Sequence, residues 1–139
     1  MSEQPKTPSI FIKIVCDDEE KMADYYMKVY GLQVWQRVAG QSVGVDEAFR
    51  EVILMRPNPD IVETVVLFKF VDRPKPRDQQ SIVGWITDDI EALNGRIVAH
   101  GGTLIGPLRD MPEHGIRVQF SEDPEGALSE NVQMVAAQH

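Results

Sequence analysis

The sequence predicts an α+β fold made of two βαβββ modules in tandem. Three observations predict it. Apolar residues alternate at period two in strand-length stretches on either side of two segments with helical spacing. Strand, helix cap and glycine stop recur in one register: Asp17, Asp18, Glu20 and Gly31 return as Asp88, Asp89, Glu91 and Gly102, each 71 positions on (18 to 89, 31 to 102). Residues 72–80, DRPKPRDQQ, are polar, carry two prolines and cannot form a central strand. The expected parts are a flexible lead-in at 1–8, a module at 9–71, a linker at 72–80 and a module at 81–139. The alternative is a single α+β domain with a fortuitous repeat.

The first strand, IFIKIVCDD from Ile10, puts Ile10, Ile12, Ile14 and Cys16 on one face. Phe11, Lys13, Val15 and Asp17 take the other. Asp18 stands as the N-cap of a helix over 19–30, with Glu19 and Glu20 at the positive end of its dipole. Met22, Tyr25, Tyr26, Val29 and Tyr30 make its apolar stripe, and Gly31 ends it. Strands follow at 32–38, 49–56 and 61–71. A turn from Gly40 to Asp46 separates the first two, and PNPD at 57–60 ends the second.

The second module opens with a strand at 81–87, where Trp85 shares a face with Val83 and reads as core. Asp89 caps a helix with Ile90, Leu93 and Ile97 on its stripe, ended by Gly101 and Gly102. The strand at 103–109 holds a proline and is an edge or bent. Residues 110–115 form a loop carrying an exposed His114; strands at 116–121 and 128–135 flank a turn at 122–126.

Composition narrows the function. The chain of 139 residues has 14 Lys+Arg against 22 Asp+Glu and a net charge of -8. That argues against nucleic acid and anionic membranes as partners, since both need a basic surface. No apolar run reaches the roughly 20 residues of a membrane helix. The polar start lacks the apolar core of a secretory signal. Cys16 is the only cysteine, so no internal disulfide forms, and the expected location is cytoplasmic. Cys16 lies on the helix-facing side of its strand and reads as an inert buried thiol.

Three segments carry a resemblance. DPEG at 123–126 followed by a polar strand, DDEEKMADYYMKVYGL at 17–32 and HGGTLIGP at 100–107 together resemble the vicinal oxygen chelate superfamily. That group includes glyoxalase I, bleomycin-resistance proteins and extradiol dioxygenases. The resemblance implies curved mixed sheets around one cleft, which usually holds a divalent metal. It implies one ligand on the first strand of each module, seven positions before the capping Asp, and a Glu late in the last strands. Here those first-strand positions are Phe11 and Ile82, which have no lone pair to donate. The C-terminal Glu corresponds to Glu130. The fourth-strand ligand has no clear counterpart, Glu63 being nearest. A divalent ion normally needs three or more protein donors, so no metal and no other cofactor is expected.

The remaining candidates follow from strand parity. Lys13 shares a face with Phe11, which the resemblance puts on the cleft wall, where it could bind an oxyanion or act as a base. Its alternative is an edge lysine in solvent. Arg117 and Gln119 alternate against Ile116, Val118 and Phe120, so this polar face is expected to line the cleft, the alternative being a solvated sheet face. Trp35 shares a face with Gln33 and Arg37, as a ligand platform would. Glu130 is ambiguous: it shares parity with Leu128, Val132 and Met134, while Ser129, Asn131 and Gln133 take the other face. If the apolar set packs on the helices, Glu130 points into core, unless a bulge turns it.

The expected site is therefore Lys13 and Glu130 as catalytic groups, with Phe11, Trp35, Ile82, Arg117 and Gln119 as binding residues. Three function classes compete: a metal-free binder of a small organic molecule, a metal-independent isomerase or lyase, and a metal-dependent lyase or dioxygenase with displaced ligands. Large exposed sheet faces point to a homodimer.

Overall fold

A computed structural model describes residues 10–42, 44, 46–58 and 63–135. The lead-in at 1–8 and the start of the strand expected at 61–71 lie outside the described residues. The elements run β1 (Ile12–Val15), α1 (Glu19–Tyr30), β2 (Gln33–Gln41), β3 (Ala48–Met55), β4 (Thr64–Phe70), β5 (Val83–Thr87), α2 (Ile90–Ala99), β6 (Thr103–Met111), β7 (Ile116–Glu122) and β8 (Leu128–Met134). They form two four-stranded sheets of the same topology, β1-β4-β3-β2 and β5-β8-β7-β6. In each, the first strand pairs parallel to the last and the other pairs are antiparallel, so both sheets are mixed.

Local chemistry places the helices as expected. The Asp18 carboxylate accepts the Lys21 N–H and the Asp89 carboxylate accepts the Ala92 N–H. Gly31 closes α1 in the left-handed region at φ 74°. The repeat slips by one residue at the end of α2, where Gly101, not Gly102, takes the left-handed turn at φ 93°. Gly102 serves close packing instead: a Cβ there would lie 2.6 Å from Tyr25 Oη and 2.7 Å from Ile97 Cγ2.

Two strands outrun their expected limits. β2 continues through Gly40 to Gln41, because its ladder with β3 pairs Gly40 with Phe49. β6 continues to Met111, crossing a register shift between Ile105 and Arg109. Gly106, at φ 70°, makes the bend, and Pro107, which has no N–H to donate, falls in the interrupted stretch. His114 sits exposed in a short 3₁₀ turn at Pro112–His114.

One core joins the modules. Met22, Tyr25, Tyr26 and Val29 of α1 pack with Val52, Leu54 and Leu67 of the first sheet and with Leu93 and Ile97 of α2. Trp85 joins this core, stacked on Tyr30 at 3.8 Å between ring centres. The turn at 123–126 acts as a clamp on α1. Asp123 accepts the Glu125 and Ala127 N–H groups on one oxygen and the Tyr26 hydroxyl on the other. The Glu125 carboxylate then accepts the backbone N–H groups of Asp17 and Asp18, placing negative charge where the α1 dipole is positive.

This core makes the protein sensitive to alkali. Burial pushes the Tyr30 hydroxyl and the Cys16 thiol up to about 12 and raises Tyr25 and Tyr26 as well. A group that holds its proton more tightly when folded stabilises the fold fully below its unfolded pKa and loses that contribution as pH rises. Ordinary values are 9.0 for the thiol and 10.0 for tyrosine. Melting temperatures should therefore hold to about pH 9 and fall steeply between about pH 10 and 12. Unfolding should coincide with tyrosinate absorbance; titration of all three tyrosines in a still-folded protein would contradict the burial.

Candidate functional site

Each sheet has a face turned away from the helices. In β3, alternation places Arg50, Val52 and Leu54 toward the helices and Phe49, Glu51 and Ile53 on the open side. Glu51 is only 8% exposed. A buried carboxylate needs a partner, and Lys13 of β1 supplies it, with Nζ 2.9 Å from Oε2. The same ammonium lies 4.9 Å from the centre of the Phe68 ring. Phe68 stacks on Phe49 and meets Phe70 edge-on. Arg73 covers Phe70 at 3.6 Å and pairs with Glu47. The open face of the first sheet is thus an ion pair set in an aromatic surround. Phe11, just before β1 and 63% exposed, has the parity of Lys13.

The open face of the second sheet carries Glu130 and Val132 of β8, with Val118 and Phe120 of β7. Glu130 is half-buried, and its side chain has no hydrogen bond or ion pair among the described residues. Its register neighbours are Phe120 on one side and Gly84 on the other. Gly84 leaves open space where a side chain would stand. Ile82 and Ile86, on the parity of Gly84, are both exposed. Glu130 therefore points to the open side without needing a bulge.

This corrects three expectations. Arg117 and Gln119 do not line the open face. Gln119 is 1% exposed beneath α2, accepting from Asn94 and donating to the carbonyls of Ile105, Gly106 and Phe120. Arg117 pairs with Asp110 and with Glu91 of α2. The polar residues of β8 also face inward. Asn131 accepts the Tyr30 hydroxyl and donates to Ser121 Oγ and the Gln119 carbonyl. Gln133 accepts the Ile90 N–H at the start of α2. The polar face is the buried one because Tyr30 of the first module and Asn94 of α2 satisfy it. Trp35 is the third correction. It is the extra residue of a register shift in the edge strand β2, which breaks the alternation: Gln33 pairs with Met55 and Arg37 with Val52, so the two residues expected on one face with it stand on opposite faces. It is 61% exposed and two strands removed from β4 and its Phe68.

Of the expected residues, the structure brings Lys13 and Phe11 to one open face, and Ile82 and Glu130 to the other. Glu51 and the three phenylalanines were not anticipated. The available signal was a carboxylate at the apolar parity of Phe49 and Ile53, where a charge is costly unless it is paired.

The described residues at the positions that the resemblance assigns to metal ligands do not fit a divalent metal. Phe11 and Ile82 offer no lone pair, Glu51 is engaged by Lys13, and Glu63 is exposed and paired with Arg56 at 2.7 Å. Among the described residues no three of His, Cys, Asp and Glu converge. No described helix is long and apolar enough to cross a membrane.

No protein-family model matches the sequence, and no curated protein does. Solved structures do match. The chain is similar to a glyoxalase family protein from Bacillus cereus, with TM-score 0.78 and 16% identity over 98% of this chain and 99% of that one. It is similar to a glyoxylase/bleomycin resistance protein/dioxygenase domain from Frankia sp. EAN1pec, with TM-score 0.72 and 12% identity over 97% of each chain. Glyoxalase I from Zea mays gives TM-score 0.71 and 18% identity over 91% of this chain, which spans 44% of that longer protein. With two β-α-β-β-β sheets of one strand order and these likenesses along nearly its whole length, the chain has the fold of these glyoxalase and glyoxylase/bleomycin resistance/dioxygenase-domain proteins.

Proposed function

We propose that this protein binds a small organic molecule on its open sheet faces without a resident metal. The observation that carries this reading is the Lys13–Glu51 pair, a buried carboxylate held by an ammonium inside a phenylalanine cluster. Such a place offers an aromatic wall with a donor and an acceptor side by side. It suits a neutral aromatic ligand bearing a hydroxyl or amide. Dimerisation belongs to the same reading: Ile82, Ile86, Ile105 and Met134 of the second sheet lie exposed, and a second copy would cover them.

Thermal-shift titration with phenols and benzamides tests the binding. A saturable hit should weaken tenfold or more in both Glu51→Gln and Lys13→Met. Binding that survives both substitutions would move the site elsewhere. Sedimentation should show a dimer that Ile86→Glu splits to monomers; a monomeric parent protein defeats that part.

A second reading, a metal-independent isomerase or lyase, draws on Glu130 as its base, whose carboxylate has no partner among the described residues and lies beside the gap at Gly84. Arg117 cannot serve this reaction from beneath α2. Product formation abolished in Glu130→Gln with binding retained would establish it.

A further inference from the structure

Two polar groups of the shared core are matched in opposite ways. The Trp85 indole N–H is buried and has no acceptor among the described residues. The hydroxyl of Tyr26, a residue 1% exposed, donates at 2.8 Å to the carboxylate of Asp123, itself 6% exposed. The Trp85 and Tyr26 rings lie 5.9 Å apart between centres, and Tyr30 stacks 3.8 Å from Trp85 and 5.7 Å from Tyr26. We propose that these rings carry a one-electron relay, in which a small oxidising radical from solvent takes an electron from Trp85 and the loss is passed to Tyr26. Trp85 also lines a cavity of about 650 Å³ between the ends of α1 and β3 and the start of α2, which gives a small solute access to its ring.

The fate of the proton sets the direction. Loss of an electron leaves Trp85 a radical cation, and its N–H has no base to receive the proton. An uncompensated charge in a buried ring is costly. At Tyr26 that cost is removed. As an electron passes from Tyr26 to Trp85, the Tyr26 hydroxyl proton passes to Asp123 Oδ2. Trp85 is restored, Tyr26 becomes a neutral radical, Asp123 becomes a neutral acid, and the oxidant has gained one electron. The positive charge and the carboxylate charge cancel in the protein interior, where opposite charges attract more strongly than in water. Tyr30 is the nearer ring but not the terminus. Its hydroxyl donates to the Asn131 amide oxygen, which is no base for that proton. The relay uses neither the Lys13–Glu51 pair nor Glu130, so it stands apart from the open-face site.

Pulse radiolysis of the full chain with the azide radical tests the relay. Trp35→Phe, an exposed substitution, serves as the parent, because Trp85 is then the only tryptophan of the chain. The tryptophanyl absorbance should decay by a first-order process at a rate independent of protein concentration, with a matching rise of tyrosyl absorbance. Tyr26→Phe should lower the tyrosyl yield, and Asp123→Asn the transfer rate, by about tenfold or more, since loss of a charged hydrogen-bond partner exceeds the free energy of one decade in rate. Tyr30→Phe should leave the yield intact. Asparagine can still accept the Glu125 and Ala127 N–H groups that Asp123 holds. Transfer in the parent should also slow in heavy water, a readout that needs no variant at Asp123. A tryptophanyl radical that decays without tyrosyl growth, a tyrosyl yield that survives Tyr26→Phe or is lost in Tyr30→Phe, or a transfer rate indifferent to Asp123→Asn and to heavy water would overturn the proposal.

Discussion

Asn131→Leu is expected to destabilise the fold by about 2–4 kcal/mol, although leucine has nearly the same size and suits a strand. Asn131 is fully buried and ties the modules together. It accepts the Tyr30 hydroxyl at 2.8 Å and donates to Ser121 Oγ at 2.9 Å and to the Gln119 carbonyl at 3.2 Å. Leucine removes the acceptor and both donors at once. Tyr30, Ser121 and the carbonyl then remain buried with fewer partners, which costs more than the net value of the bonds themselves. The melting temperature should drop by on the order of 10 °C in a domain of this length. The pairing can be isolated with Tyr30→Phe: once that hydroxyl is gone, Asn131→Leu should cost measurably less. A change of under about 0.5 kcal/mol in the parent protein, as for an ordinary surface position, would mean that Asn131 faces solvent or a cleft.

Gly102→Ala should be as damaging, by about 3 kcal/mol. The added methyl would sit 2.6 Å from Tyr25 Oη, 2.7 Å from Ile97 Cγ2 and 3.0 Å from the Glu122 carbonyl. Tyr25 and Ile97 are both buried in the shared core, and Glu122 presents backbone, so no neighbour is a flexible tip that can swing away. Gly95→Ala is the control. Gly95 lies inside α2, is exposed and would meet nothing within 4 Å. There the methyl should stabilise the helix by about 0.5–1 kcal/mol. Chemical denaturation of the two variants should move the midpoint in opposite directions. Equal, small effects would show that Gly102 is not closely packed.

Both experiments probe the same division between local and tertiary information. The helix positions were legible because they rest on neighbours in sequence. Asp18 and Asp89 cap by reaching three residues ahead, and the apolar stripes follow helical spacing. The strands were legible from alternation, apart from the ends of β2 and β6, which depend on a partner strand continuing the ladder. The repeat of 71 residues correctly foretold two sheets of one topology, and the missing lone pairs at Phe11 and Ile82 were visible residue by residue.

The candidate site was legible only in part. Lys13 could be singled out as a cation among isoleucines, but its partner Glu51 is 38 positions away and reaches it only through β4, which pairs with both strands. For β7 and β8 the period-two pattern separated polar from apolar residues correctly and still left Arg117 and Gln119 on the wrong side. Alternation defines two faces of a strand but does not say which one the helices cover. Burial of a polar face costs little once its groups find partners. Those partners, Tyr30 and Asn94, come from two different helices, so only the assembled core could decide that Gln119 and Asn131 turn inward and Glu130 outward.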